Sequence, residues 1–350
     1  MDEQSREAPV ASPYSIPTGA QEVDHVPKAL ASVLPSQWEN PEDVTVVQIQ
    51  GGITNRLYLV EAKGLPSVIV RVYGENTEVL ISRESDVKNF AALTQNNFGP
   101  KLLGTFQNGR IEEFFSGAKT LEPDDMAAPK LSVMIAKELQ KMHSLQIPGE
   151  RAPVLFPTLQ EWLTVCRGIS FEDNGSKQLQ FAAMNTMDEI AGEIEWLHAL
   201  LGKTPSPVVF CHNDLLAGNI LYRDGDETML FVDFEYGGYN CRGFDIGNHF
   251  NEFAGFDYKL YSEKYPKKDA QMLFLTEYLK AEGKSDSEIP RLLPAMYIEV
   301  NRYALASHIF WGLWAIVQAR HSLIDFDFLT YGQERLEAYW FAKGGIESTP

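Results

Sequence analysis

Cysteine is scarce, with Cys166, Cys211 and Cys241 standing far apart in 350 residues. An odd number without close pairing supports neither a disulfide framework nor a zinc-type ligand spacing, so the three read as reduced structural thiols. Long hydrophobic runs are also missing, and no stretch approaches the roughly 20 apolar residues that a bilayer span needs. Residues 1–23 are polar and lack a hydrophobic signal core, so the expected location is cytoplasmic. Positive charge is in short supply: 30 Lys and Arg face 48 Asp and Glu, a formal net charge of -18. That balance opposes the phosphate contacts on which nucleic-acid affinity depends, and no basic block offsets it. A cationic small molecule or a bound Mg²⁺ suits such a chain better.

With 44% hydrophobic residues the chain can build one large domain or two lobes, each with a core. Residues 1–22, rich in Ser, Pro, Glu and Gln without periodicity, predict a flexible tail. Three β-branched runs follow, at 44–50, 57–60 and 68–73, separated by Gly51-Gly52 and by Gly64-Leu65-Pro66. The spacing then predicts a helix over 82–93 and a hairpin around Asn108-Gly109. After Gly117 the character changes to amphipathic helices over 131–145, 186–201, 270–281 and 297–321. Short strands at 208–210, 220–222 and 229–233 interrupt them, with Asp224-Gly225 as a turn between the last two. The reading is α+β and bilobal: a small β-rich lobe over 23–116 and a larger helical lobe over 117–350.

The most informative stretch is Cys211-His212-Asn213-Asp214-Leu215-Leu216-Ala217-Gly218-Asn219, with Asp233 fourteen residues beyond Asn219. Asp214, Asn219 and Asp233 keep the spacing of a kinase catalytic loop and its later metal-binding aspartate. Phosphoryl transfer is mostly positioning and charge neutralisation, so it needs oxygen ligands for Mg²⁺ and a carboxylate to orient the attacking hydroxyl. A lone Asp in such a turn would be a solvated hydrogen-bonding residue; three at these spacings between strands point to chemistry. Upstream, Gly51-Gly52-Ile53-Thr54-Asn55 lies between two strands, where a glycine-rich loop would cover phosphates with backbone amides. Arg71 falls on the third strand, where kinases place a phosphate-gripping cation, and Glu84 on the next helix could pair with it.

These residues resemble the choline/ethanolamine kinase family, within the wider group of protein-kinase-like folds that includes the aminoglycoside phosphotransferases. The resemblance runs from about Val47 to Tyr339 and is carried by GGITNRLY (51–58), VRVYG (70–74), HNDLLAGNIL (212–221) and DFEYGGYNCRGFDIGNHFNEFAG (233–255). It implies an ATP- and Mg²⁺-dependent phosphotransferase acting on a small amino alcohol, with a homodimer left open. Asp214 would be the base, and Asn219 and Asp233 the metal ligands. Gly51, Gly52, Ile53, Thr54, Asn55, Arg56, Leu57 and Arg71 would hold ATP phosphates. Glu113, Phe114, Phe115 and the rest of the segment to Lys119 would carry adenine. Glu235, Asp245 and Glu252 would place carboxylates around the site, with Asp214 and Glu252 as acceptors for the substrate's ammonium.

The family's amine pocket is matched by Trp311 and Trp314, three apart on one helix face, with Phe326 and Tyr331 beyond. Aromatics at that spacing usually serve a core; here the match to the family favours a cation-binding box, since a cation over an indole face gains roughly 0.5 to 2 kcal/mol. The segments HNDLL, HFNEFAG and IDFDFL resemble the ethanolamine branch, the choline branch having a Trp where Phe253 stands. A primary ammonium carries three N–H donors that need acceptors, whereas a trimethylammonium needs aromatic walls. The expected product is therefore phosphoethanolamine, entering phosphatidylethanolamine synthesis, with choline or both substrates as the alternative.

Overall fold

The computed structural model describes residues 10–19, 21–49, 55–74 and 79–347. They group into two compact units, one running up to Lys119 and including Arg223–Val232, the other comprising Thr120–Tyr222 and the chain from Asp233 onward.

The first unit is built on strands β1 (Val10–Ser12), β2 (Thr45–Ile49), β3 (Asn55–Glu61), β4 (Val68–Tyr73), β5 (Leu102–Phe106) and β6 (Gly109–Glu113), in the spatial order β1-β5-β6-β4-β3-β2. Alternation drives the pattern: Val68, Val70 and Val72 of β4 turn to one face and are buried, together with Tyr58, Val60 and Ile111 of the neighbouring strands. Helix α1 (Glu22–Val33) covers that face with Val26, Ala29, Leu30 and Val33, the i, i+3, i+4, i+7 set of one helical stripe. This helix was absent from the sequence reading although its stripe is visible there.

Two expectations for this unit need correcting. The stretch read as a tail is, from Val10, a strand paired parallel to β5. It carries Ile16 into the core, where the Asn108 side chain accepts from the Ile16 amide at 2.9 Å and donates to its carbonyl at 2.8 Å. Pairing to an existing sheet edge orders a segment whose own composition would not. Glu84, expected to meet Arg71, instead lies exposed on helix α2 (Arg83–Gln95).

In the second unit the helices of ten or more residues are α3 (Pro129–His143), α4 (Leu155–Arg167), α5 (Met187–Leu201), α6 (Arg242–Asn251), α7 (Lys268–Ala281), α8 (Ile289–His321) and α9 (Phe328–Glu347). Helix α8, of 33 residues, begins eight residues before the expected start, running through Pro290 and Pro294. Pro290 stands in the first turn, where amides have no intrahelical acceptor, whereas Pro294 lies inside the helix and removes one intrahelical hydrogen bond near its start. From Tyr303 to Ala319 every residue of α8 is buried. Helix α6 crosses it at Gly247, where a Cβ would lie 2.7 Å from the Ala304 amide nitrogen and 2.8 Å from the Val300 carbonyl oxygen. Strands β7 (Val208–Cys211) and β10 (Gly238–Cys241) pair antiparallel, while β8 (Ile220–Arg223) and β9 (Thr228–Phe231) flank the Asp224-Gly225 turn. No helix among the described residues is long and apolar enough to cross a membrane.

Candidate active site

The loop leaving β7 is bent at Asn213, whose φ of 65° is a left-handed conformation that Asn tolerates better than most residues. Its side chain then fastens the bend, donating to the Tyr236 carbonyl at 2.9 Å and accepting from Asn240 Nδ2 at 2.9 Å. From beneath, the fully buried Asp245 of α6 accepts the His212 amide at 2.8 Å and the Asn213 amide at 2.7 Å. His143 Nε2 donates to the same carboxylate at 2.9 Å, and its Nδ1 accepts from the Tyr278 hydroxyl at 2.8 Å. Burial alone would raise the Asp245 carboxyl, but His143 and these donors hold it below its ordinary range. His143, Cys211 and Asp245 bring potential ligand atoms within 4.8 Å of one another. Both ring nitrogens and both carboxylate oxygens are already engaged, so the trio is a structural anchor for the loop.

At the tip, half-buried Asp214 is capped by Asn219, whose Nδ2 donates to the Asp214 carbonyl at 2.8 Å and to its Oδ2 at 3.2 Å. That leaves the Asn219 carbonyl oxygen as a hard ligand. Asp233 follows with φ 64°. The Asp214 carboxyl is pushed well above its ordinary range by burial first, then by the charges of Glu252, Asp233 and Glu235. Excess negative charge among oxygen donors is the chemistry that a divalent cation answers, so Asn219 and Asp233 fit Mg²⁺.

Beside this cluster stands a run of rings. Tyr236 and Trp311 are 5.2 Å apart at 76°, Trp311 and Trp314 5.4 Å at 79°, and Trp314 and Tyr331 6.2 Å at 78°. Successive near-perpendicular rings make the corner of a box. Trp314 Nε1 donates to the Tyr236 hydroxyl at 2.7 Å and Trp311 Nε1 to Asn248 Oδ1 at 2.7 Å. Phe326 adds a ring 5.9 Å from Tyr331. The hydroxyls of Tyr236 and Tyr331 are both raised, by burial first and with Asp214 among the charges acting on them, which places the box within electrostatic reach of the carboxylates.

The sequence profile of choline/ethanolamine kinases matches residues 46–340. This chain belongs to the choline/ethanolamine kinase family. It is 41% identical over 328 residues to human ethanolamine kinase 2, covering 91% of this chain and 82% of that one. It is 40% identical over 307 residues to the probable ethanolamine kinase A of Dictyostelium discoideum, covering 85% of each. Among solved structures it is similar to the Plasmodium vivax ethanolamine kinase, with a TM-score of 0.80 at 30% identity over 92% of this chain and 89% of that one. The fold is thus that of these kinases, a β-rich N-terminal part followed by a helical C-terminal part.

Within this family member the structure brings Asp214, Asn219, Glu252, Trp311, Trp314, Phe326 and Tyr331 into the second unit, with Asp233 and Glu235 acting on Asp214 there. Asp245 serves the loop's backbone. Glu252 is bonded to Arg335 at 2.9 Å and accepts from the Tyr258 hydroxyl at 3.0 Å. In the first unit, Arg71 meets Glu112 at 2.8 Å, and Glu112 also accepts from Arg110 at 2.7 Å. Arg56 bonds to Glu22 at 2.6 Å, and Asn55 accepts from Arg83 at 3.3 Å, with Leu57 beside them on β3. Glu113 ends β6, and Phe114, Phe115 and the exposed Lys119 follow as the strand gives way to a turn at Gly117. Gly51, Gly52, Ile53 and Thr54 lie outside the described residues. Tyr236 and Arg335 were missed by sequence reasoning; the signals present were the position of Tyr236 directly after Asp233-Phe234-Glu235 and that of Arg335 one helical turn beyond Tyr331.

Proposed function

We propose that this protein transfers the γ-phosphate of ATP to the hydroxyl of ethanolamine. The observation that carries the reading is the meeting of a charge-loaded Asp214 with a box of perpendicular rings in one unit. The rings receive the ammonium and leave the hydroxyl toward Asp214. Asp214 takes the hydroxyl proton as the oxygen bonds to the γ-phosphorus and the bond to the β-phosphate oxygen breaks, giving phosphoethanolamine and ADP. Asn219 and Asp233 would hold Mg²⁺, which would neutralise the phosphate charge. Cations arriving among the carboxylates offset the repulsion that raises Asp214, so ligand binding favours the ionised base. The nucleotide is assigned to residues expected from the sequence, Arg71 and Glu113 to Lys119.

Ethanolamine is favoured over choline because the box adjoins acceptors for three N–H donors, and because relatives about 40% identical over most of their length carry the name ethanolamine kinase. Steady-state kinetics with ethanolamine, its mono- and dimethyl forms and choline test this. The expected kcat/KM favours ethanolamine over choline by at least about tenfold, or roughly 1.4 kcal/mol. Equal values or a preference for choline would overturn the substrate, and no turnover of any of the four would overturn the function. In the Asp233→Asn variant the half-saturating Mg²⁺ concentration should rise; an unchanged titration would remove Asp233 from the metal site.

A further inference from the structure

Arg335 has no part in the chemistry described above, yet it is fully buried and touches three portions of the amine box. Its Nη1 donates to Glu252 Oε1 at 2.9 Å. Its Nη2 donates to Ser307 Oγ at 2.7 Å and to the Ser307 carbonyl at 3.0 Å. The Ser307 hydroxyl in turn donates at 2.8 Å to Asn248 Oδ1, the same oxygen that receives the Trp311 indole N–H. The guanidinium lies 4.2 Å from the Tyr258 ring centre and 5.9 Å from that of Tyr331. A guanidinium can do this because its donors lie in one plane and point in fixed directions, so each bond constrains the others.

We infer that Arg335 is a positioning residue of the amine box: it holds Glu252 as an internal ion pair and, through Ser307 and Asn248, fixes the Trp311 indole, so that Glu252 is withdrawn from service as the ammonium's direct acceptor. The inference rests on the amino-alcohol kinase reading. A permanent cation one bond from the box has a purpose only if its charge is cancelled, since an unpaired guanidinium would repel the substrate's ammonium. Glu252 provides that cancellation, and ring faces with the remaining carboxylates are left to meet the amine. Burial raises the Glu252 carboxyl, against which Arg335 and the Tyr258 hydroxyl act, consistent with a pair that must stay intact in a dry setting.

The two roles for Glu252 predict different kinetics. If it bonded the ammonium directly, Glu252→Gln would raise KM for ethanolamine and spare choline, which has no N–H to donate. If it cancels Arg335, the same change unmasks a buried cation and raises KM for both substrates alike, by at least about tenfold, with KM for MgATP moving less than about twofold. Adding Arg335→Met to Glu252→Gln should then recover most of the loss, because the unmasked cation is gone. A loss confined to ethanolamine, or a double variant no better than the single one, would overturn the inference. Should the double variant fail to fold, Ser307→Ala decides: loss of the hydroxyl relay to Asn248 should raise KM for both amines with a smaller change in kcat, and an unmoved KM would overturn it. Wild-type turnover of ethanolamine, measured first, tests the underlying reading separately from these ratios.

Discussion

The two units bury acidic side chains in opposite ways. In the sheet unit, Glu112 lies between Arg71 and Arg110, and Arg110 reaches on to Asp86 of α2. Burial would raise the Glu112 carboxyl, but the two arginines hold it below its ordinary range. In the helical unit, Glu252 has Arg335 as its partner, but Asp214 also sits among Asp233 and Glu235, and its carboxyl is driven the other way, by burial first and then by these charges. Glu112 is buried and Asp214 half-buried, and burial raises both carboxyls, but the charges around them make the two shift in opposite directions. A balanced set belongs to the folded state itself, whereas an unbalanced one is balanced by what binds.

Breaking the balanced set should therefore cost folding. Arg110→Met leaves two buried carboxylates short of their counter-charge and is expected to lower unfolding free energy by about 3–5 kcal/mol, read from denaturant midpoints. Asp214→Asn inverts the pattern: kcat should fall roughly 10²-fold or more while thermal stability stays level or rises, because a repelled charge has been removed. A drop in melting temperature with activity retained would reverse the comparison. The buried His249, lowered to about 4 by burial, sharpens the acid side. Its folded value lies below the unfolded one near 6.5, so the unfolded chain binds the extra proton and stability falls as pH drops from 6.5 toward 4, by up to about 3 kcal/mol. His249→Gln should flatten that slope between pH 6.5 and 4.5, and an unchanged slope would assign it to other groups. For Gly247→Ala the new methyl meets backbone of α8 at under 3 Å, so one helix must shift, and the change should cost about 3 kcal/mol or more in a melt, with KM for the amine rising in step.

What could be read in the sequence was what chemistry or local period writes into neighbouring residues. Asp214, Asn219 and Asp233 are spaced by the loop they build, and Trp311 and Trp314 by a helical turn. The bonds that complete the site span long separations: Tyr236 meets Trp314 across 78 residues and Arg335 meets Glu252 across 83. No local pattern encodes such partners. The Arg71 partner was misplaced for a related reason. It was sought on the following helix, whereas Glu112 stands on β6, beside a strand register that sets Arg71 opposite Arg110 and Ile69 opposite Glu112. A diagonal neighbour across two strands is a property of register, which the sequence of either strand alone does not state. The edge strand β1 was hidden likewise, its order coming from β5.

Helix α8 is buried around its whole circumference from Tyr303 to Ala319, and Trp311 and Trp314 ride on that stretch. A rod gripped on all sides can neither roll nor slide without disturbing every neighbour at once, so this wall of the amine box is fixed. The facing ring, Phe326, stands instead in the short irregular stretch 322–327 between α8 and α9, and Phe256, 5.8 Å from it, is about half exposed. Selection for a bulkier or more methylated amine therefore has one accessible side on which to work. Divergence in substrate range among proteins built this way should accumulate in the connector, while the tryptophans and the helix beneath them stay as they are.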